Sequence, residues 1–334
     1  MPDGDSISTE VSLIRVRTIA PTVFALLISG MGMAQEPSYH REILAMGTRL
    51  SLRIEGATQE QLALASEAAF VECSRIESAC STWKPDSVFR RWNDAQGRVV
   101  SLDREWVELL DRARAWSRRS GGAFDPVLFR LLAAYGVREG GRAPSETELA
   151  DARAASGARH LHLNFRSGSA RLEKGAGIEE GGFVKGYALD RMKDQLAHAG
   201  ISSGLLDFGG QLLAFGKAVD VSIADPKDRT QPRFSVSLKD ESLASSGLSE
   251  HGRHIVDPRN GLLCAEWGSV SVIAASALDA DCLSTALYVL GPDEGLAWAR
   301  KHHTAVIFLL NDGSVRMSPA FKSMSPVSLP PEQP

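Results

Sequence analysis

The sequence predicts an α+β protein in which antiparallel sheets carry flanking helices. Two observations support this. Helical periodicity dominates residues 58–155, and from residue 160 short strand-like runs follow one another across turn residues. Strands therefore do not alternate one for one with helices, which argues against a doubly wound parallel sheet. No linker separates the two halves, so one domain is expected, with two lobes as the open alternative. Of 334 residues, 43% are hydrophobic, enough for a sizeable core. The net charge is −4 and no basic stripe with interleaved aromatics occurs, which argues against a nucleic-acid partner.

Residues 1–34 read as a secretory signal. Arg15 and Arg17 precede an apolar run from Ile19 to Ile28, and Gly32 and Ala34 fit the −3 and −1 places of a cleavage site. The run is shorter than the roughly 20 apolar residues a membrane span takes. No cysteine follows it to carry a lipid. A buried N-terminal segment is the alternative, and translation starting near Val11 is also open.

The elements follow in order. In "TRLSLRIEG", Leu50, Leu52 and Ile54 alternate with polar residues, a half-buried strand. Thr58 and Gln61 form a capping box for a helix to about Ala79. After the polar stretch "STWKPDSVFRRWND", residues 103–119 make a second helix, stopped by Gly121 and Gly122. "FDPVLFRLLAAYG" predicts a third, with Pro126 in its first turn and Asp125 as N-cap. Ser145 and Glu148 cap a fourth. "HLHLNF" and "SARLEK" face each other across "RSGS", a hairpin. "FVKGYALDRMKDQLAHAG" is a helix ending at Gly200. Strands follow at "GLLDF", "LLAFG", "VDVSIA", "FSVSLK" and "SVSVIA". Two helices then fill 277 to about 302, and "TAVIFLLNDGSVRMS" closes as a hairpin. The Pro-rich tail 325–334 is expected to be disordered. Cys73, Cys80, Cys264 and Cys282 show neither metal spacing nor a pairing, and buried free thiols are expected.

Four stretches carry chemistry, each with a plain structural alternative. In "ALDADCLSTALYVLG", Asp281 and Thr285 lie four apart, on one face of an apolar helix. Hard oxygens so placed suit Mg²⁺ completed by phosphates and water. Alternatively Asp281 serves the helix dipole in the first turn and Thr285 bonds back to a carbonyl. In "EEGGFVKGYALD", two glycines before a helix favour an anion, and Lys185 is a cation where the dipole disfavours one. Such glycines are otherwise simple turns. In "SSGLSEHGRHIVDPRNG", Ser245, Ser246, His254 and Asp257 share a loop-rich stretch, where His254 is a proton carrier or a structural hydrogen-bonder. "DFGGQLLAFG" is by itself an ordinary hairpin.

Together these stretches, with "MGTRLSL", "STWKPDSVFRRWN" and "GGAFDPV", resemble the FAD:protein FMN transferase family of the ApbE type over nearly all of the chain after the signal. The resemblance implies a single T-fold-type domain, exported to the periplasm. It implies FAD as substrate and Mg²⁺ as cofactor, scission of the pyrophosphate, release of AMP, and FMN placed on a Thr or Ser of an acceptor. The implied acceptors are flavoprotein subunits of membrane electron-transport complexes. Carried over by motif, Asp281, Thr285 and the Gly182 carbonyl hold the metal. Met46, Trp83, Ala123, Phe124, Asp125, Glu179, Lys185 and Ile255 line the FAD site. His254 is the candidate for proton transfer, and Asp281 is counted with it as catalytic. Trp83 stands where Tyr is usual, and Glu179-Glu180 where Asp-Leu is usual. The stretches before "VDVSIADP" and before "HIVDP" are short. A pyrophosphatase using water as acceptor, and a non-catalytic FAD-binding protein, are the alternatives.

Overall fold

The structure, a computed structural model, describes residues 37–56, 58–248 and 254–329. The expected signal over 1–34 lies outside these residues. Among the described residues no helix is long and apolar enough to cross a membrane.

The N-terminal half opens with a hairpin, β1 (Ser38–Ala45) and β2 (Thr48–Glu55), then α1 (Gln59–Cys80) and α2 (Val88–Asn93). Next come β3 (Val100–Ser101), α3 (Arg104–Arg119), α4 (Phe129–Ala134), α5 (Glu146–Ala154), and the β4 (Leu161–Asn164)–β5 (Ser169–Leu172) hairpin. Both expected capping boxes are present: Gln61 N–H donates to Thr58 Oγ1 at 3.3 Å, and Glu148 N–H to Ser145 Oγ at 3.2 Å. Helix α6 (Val184–His198) leads into β6 (Ser203–Phe208), β7 (Gln211–Phe215), β8 (Val219–Ala224), β9 (Pro232–Leu238), β10 (Glu241–Gly247) and β11 (Gly268–Ala274). Helix α7 (Ala277–Lys301) breaks at Gly291, φ 74°, before Pro292, so it is the two successive helices expected. The chain closes with β12 (Ala305–Leu310), β13 (Val315–Met317), α8 (Pro319–Ser323) and β14 (Val327–Ser328).

An eight-stranded antiparallel sheet runs β1-β2-β6-β7-β10-β11-β12-β13. Helices α1, α6 and α7 cover one face through Leu62, Ile76, Leu189, Met192, Leu283 and Leu287, all in the main core. On the other face a second core forms under a small sheet, β14-β9-β8, where Val221, Ile223 and Phe234 meet Leu243, Ile273 and Ile307. Alternation decides the sides: Leu243 points to the small sheet, while Ser246, on the opposite face, hydrogen-bonds Ser284 of α7. The four cysteines are free, three of them buried and Cys264 partly so.

Three expectations need correction. The third helix starts at Phe129, so Pro126 lies outside it, and its N-cap is Leu128, which makes no side-chain cap bond. Backbone groups just before it are engaged elsewhere: Pro126 C=O accepts from Glu179 N–H, Val127 C=O from Gly157 N–H, and Gly177 C=O from Phe129 N–H. Ser245 and Ser246 lie in β10, not in a loop; pairing with β7 and β11 overrides the weak strand preference of "ESLASSG". The expected disordered tail is ordered at its start: Val327 and Ser328 pair with Ser235 and Phe234.

Candidate functional site

The site begins with the crossing of α6 and α7. A Cβ at Gly186 would lie 2.3 Å from Ala277 C=O, so only glycine permits this approach. One turn further along the same face of α6, Asp190 takes the N–H groups of Ala277 and Leu278 and the Ser276 hydroxyl, at 2.8, 3.1 and 2.7 Å. It thereby satisfies donors that a helix N-terminus leaves open. Asp281 sits one turn further in, not in the first turn, where Asp279 accepts from Trp116 Nε1–H. Asp281 Oδ2 accepts from Gly186 N–H at 3.0 Å.

Asp281 is buried, and desolvation pushes its carboxyl pKa up while Lys185 and the Gly186 N–H pull it down. Among the described residues its Oδ1 and the Thr285 hydroxyl have no hydrogen-bond partner. A Cβ at Gly182 would stand 3.4 Å from Thr285 Oγ1 and 3.2 Å from Phe124 Cε2, so glycine keeps this corner open. One carboxylate, one hydroxyl and nearby backbone suit a hard cation that takes its remaining ligands from phosphate and water. Among the described residues no group of three or more His, Cys, Asp or Glu is placed to hold a metal ion, so a metal held wholly by such side chains does not fit.

These groups line one wall of a cavity of about 220 Å³ that also presents Ala123, Phe124, Asp125, Lys185, His254 and Ile255. A neighbouring cleft of about 440 Å³ shares Trp83, Glu179, Gly181 and Lys185 with it and adds Met46. The structure therefore brings all the candidate residues to two adjoining cavities. Phe124 is held edge-on to Phe183, ring centroids 6.4 Å apart. Asp125 is buried and structural at its carboxylate, which accepts from Ser117 Oγ, Val127 N–H and Ala158 N–H. Desolvation raises its pKa, and those hydrogen bonds oppose the rise.

Met46 enters its cleft from a strained turn. Ala45 pairs with Thr48, so Met46 and Gly47 form a two-residue hairpin loop, with φ of 46° and 75°. Such a loop favours Asn-Gly, and a left-handed side-chain residue costs about 1–2 kcal/mol. Met46→Asn should therefore stabilise the fold by about 1 kcal/mol, read by chemical denaturation.

Arg138 and Glu180 are the residues sequence reasoning missed. Arg138 Nη2 donates to both Glu179 oxygens, at 3.0 and 2.7 Å, and lies 3.6 Å from Glu180. Its guanidinium also stands 4.2 Å from the Trp83 ring centroid. Thr82 closes the cluster, donating its N–H to Glu180 at 3.0 Å and accepting from Arg138. Desolvation and the adjacent Glu180 push the Glu179 carboxyl up to about 8, against the pull of Arg138. The only signal in sequence was a pair of adjacent acids before a helix, which demands a cation without saying which one.

An antiparallel α+β protein with a hard-oxygen pair, a lysine at a helix start and an aromatic wall in adjoining cavities has the groups that a phosphorylated ligand needs. The chain is a member of the ApbE family, whose model matches residues 46–308. A FAD:protein FMN transferase of Treponema pallidum is 28% identical over 322 residues, covering 86% of this chain and 88% of its own length. One of Escherichia coli K12 is 26% identical over 348 residues, covering 94% and 98%. Among solved structures, the Pseudomonas stutzeri flavinyl transferase ApbE, apo form, superposes with a TM-score of 0.79 at 27% identity, covering 88% of this chain and 98% of its own. The ApbE protein of Thermotoga maritima gives 0.79 at 28%, covering 86% and 99%.

Proposed function

We propose that this chain is a Mg²⁺-dependent FAD:protein FMN transferase that moves FMN from FAD to a Thr or Ser hydroxyl of an acceptor flavoprotein and releases AMP. The observation that carries it is the convergence of Asp281, Thr285, Gly182 and Lys185 in one cavity that continues into the cleft of Met46, Trp83 and Glu179. The names of the curated relatives support the same activity.

Asp281, Thr285 and the Gly182 carbonyl would hold the ion, which when bound neutralises charge on the pyrophosphate. Lys185, in the first turn of α6, adds positive charge at the same place. His254, lining the cavity, takes the proton of the acceptor hydroxyl, a role worth about 10²- to 10⁴-fold. The acceptor oxygen bonds to the phosphorus of the FMN half. The bond from that phosphorus to the bridging oxygen breaks, and AMP leaves with that oxygen. Positioning and charge neutralisation account for most of such a transfer. A signal over residues 1–34, as expected from the sequence, would take the protein to the periplasm, where the acceptor would be the flavoprotein subunit of a membrane electron-transport complex.

The test is incubation with FAD, Mg²⁺ and a candidate acceptor subunit, followed by mass spectrometry. Covalent FMN on the acceptor with AMP released is expected. Free FMN with an unlabelled acceptor points instead to a pyrophosphatase, and intact bound FAD to a binding protein. Lys185→Ala should raise the Kd for FAD by about 10- to 100-fold while leaving the melting temperature close to that of the wild type; equal affinity would remove Lys185 from the pyrophosphate.

A further inference from the structure

A third cleft, of about 350 Å³, lies on the opposite face of the large sheet. Strand β8 and the turn after it form one wall, and strands β6, β7, β10 and β11 form the floor. Along that floor the side chains change character. Leu243 and Ile273 are buried beneath the small sheet, and further along the same strands and the same face Ser245, Ser269 and Ser271 line the open cleft. Ser245 and Ser271 hydrogen-bond each other at 2.7 Å. A face that turns from apolar to hydroxyl where its cover ends is suited to water or to a polar chain rather than to an apolar partner.

The wall has the matching property. Strand β8 pairs with β9 on one side and, among the described residues, with no strand on the other. Alternate N–H and C=O groups of an edge strand point away from its partner. The connection from β7, Gly216 to Ala218, is too short to cover them. Asp220 and Ser222 are exposed beside the cleft, while Val221 and Ile223 are buried in the second core.

The cleft also reaches the candidate site. Ser245, Ser246 and Gly247, at the end of β10, line both this cleft and the cavity holding His254, Asp281 and Thr285. Ser246 faces α7, where its hydroxyl lies 2.9 Å from that of Ser284, next to Thr285. A chain lying along β8 would therefore deliver its residues at the metal-side end of the FAD cavity, the end at which a hydroxyl must meet phosphorus.

We infer that the cleft between β8 and the serine-lined face of the sheet binds the acceptor protein, as an extended segment that adds to the β8 edge and presents its Thr or Ser over the end of β10. The inference rests on the transferase reading. Main-chain hydrogen bonds to β8 supply affinity in this mode of recognition, and the narrow floor of Ser and Gly selects small side chains beside the modified hydroxyl.

The experiment uses an acceptor subunit that the wild-type protein labels with FMN from FAD. Ser222→Trp fills the cleft from an exposed position outside the FAD cavities. It should lower kcat/KM for the acceptor by about 10-fold or more, chiefly through KM, while FAD affinity and melting temperature stay at wild-type values. As a second variant, Ser222→Cys carries a bulky methanethiosulfonate adduct: labelling should fall on modification and return on reduction. Wild-type acceptor kinetics in both blocked proteins would overturn the inference and leave the transferase reading intact. Failure of the wild type to label any acceptor subunit overturns both.

Discussion

Asp281→Asn lowers Mg²⁺-dependent release of AMP and transfer of FMN by at least about 100-fold and leaves the metal-free protein no less stable. The two halves of this expectation come from one feature. Asp281 is a buried carboxylate whose burial opposes its charge, and among the described residues Lys185 and one N–H compensate it. An ion bound at Oδ1 would supply the missing compensation. Asn keeps the acceptor for Gly186 N–H, removes the charge, and places an amide where a cation should sit. Removing a poorly compensated buried charge is neutral or stabilising. Melting curves with and without Mg²⁺ in the presence of FAD should show a metal-dependent rise in the wild type that the variant lacks. Equal Mg²⁺ response in both proteins would take the metal away from Asp281, and a large loss of metal-free stability would make the residue structural instead.

That pair was legible in sequence because it breaks a local rule: two polar residues interrupt an apolar helical face. Local rules also exposed both capping boxes and the two successive helices from 277 to about 302. What stayed hidden depends on distance along the chain or on strain. Arg138 meets Glu179 from 41 residues away, and Asp190 caps α7 from the far side of six strands. No periodicity encodes such meetings. Strand β10 was obscured because its Ala, Ser and Gly gain strand character only from two neighbours. The β1–β2 loop was obscured because Met46 stands where Asn is the usual signal, and the cost of that choice is tolerated where the side chain enters the cleft. Asp125 misled in another way: a loop Asp before Pro suggests a cap, yet its oxygens tie the loop to Ser117 and Ala158.

Arg138→Met is expected to have the largest effect on stability. Glu179 and Glu180 both turn towards this one guanidinium, and the three side chains are all well buried. Removing one partner of such a cluster costs about 3–5 kcal/mol, because the remaining charges stay buried without compensation. The sign of the pH dependence follows from Glu179. Its carboxyl titrates higher in the folded protein, at about 8, than the ordinary 4.5. Between those values the folded state holds more protons than the unfolded one, so this group's contribution to stability falls as pH rises. Without Arg138 the Glu179 carboxyl titrates higher still, so the fall should continue above pH 8, making the variant most impaired near pH 9 and least impaired near pH 5. Replacing Glu180 as well, in Arg138→Met/Glu180→Leu, should recover a substantial part of the loss, since a neutral apolar pair substitutes well for a buried ionic one. Urea denaturation of the three proteins at both pH values reads each outcome. A pH-independent loss that the double variant does not relieve would show that Arg138 acts through its packing on Trp83 and Phe129 rather than through its charge.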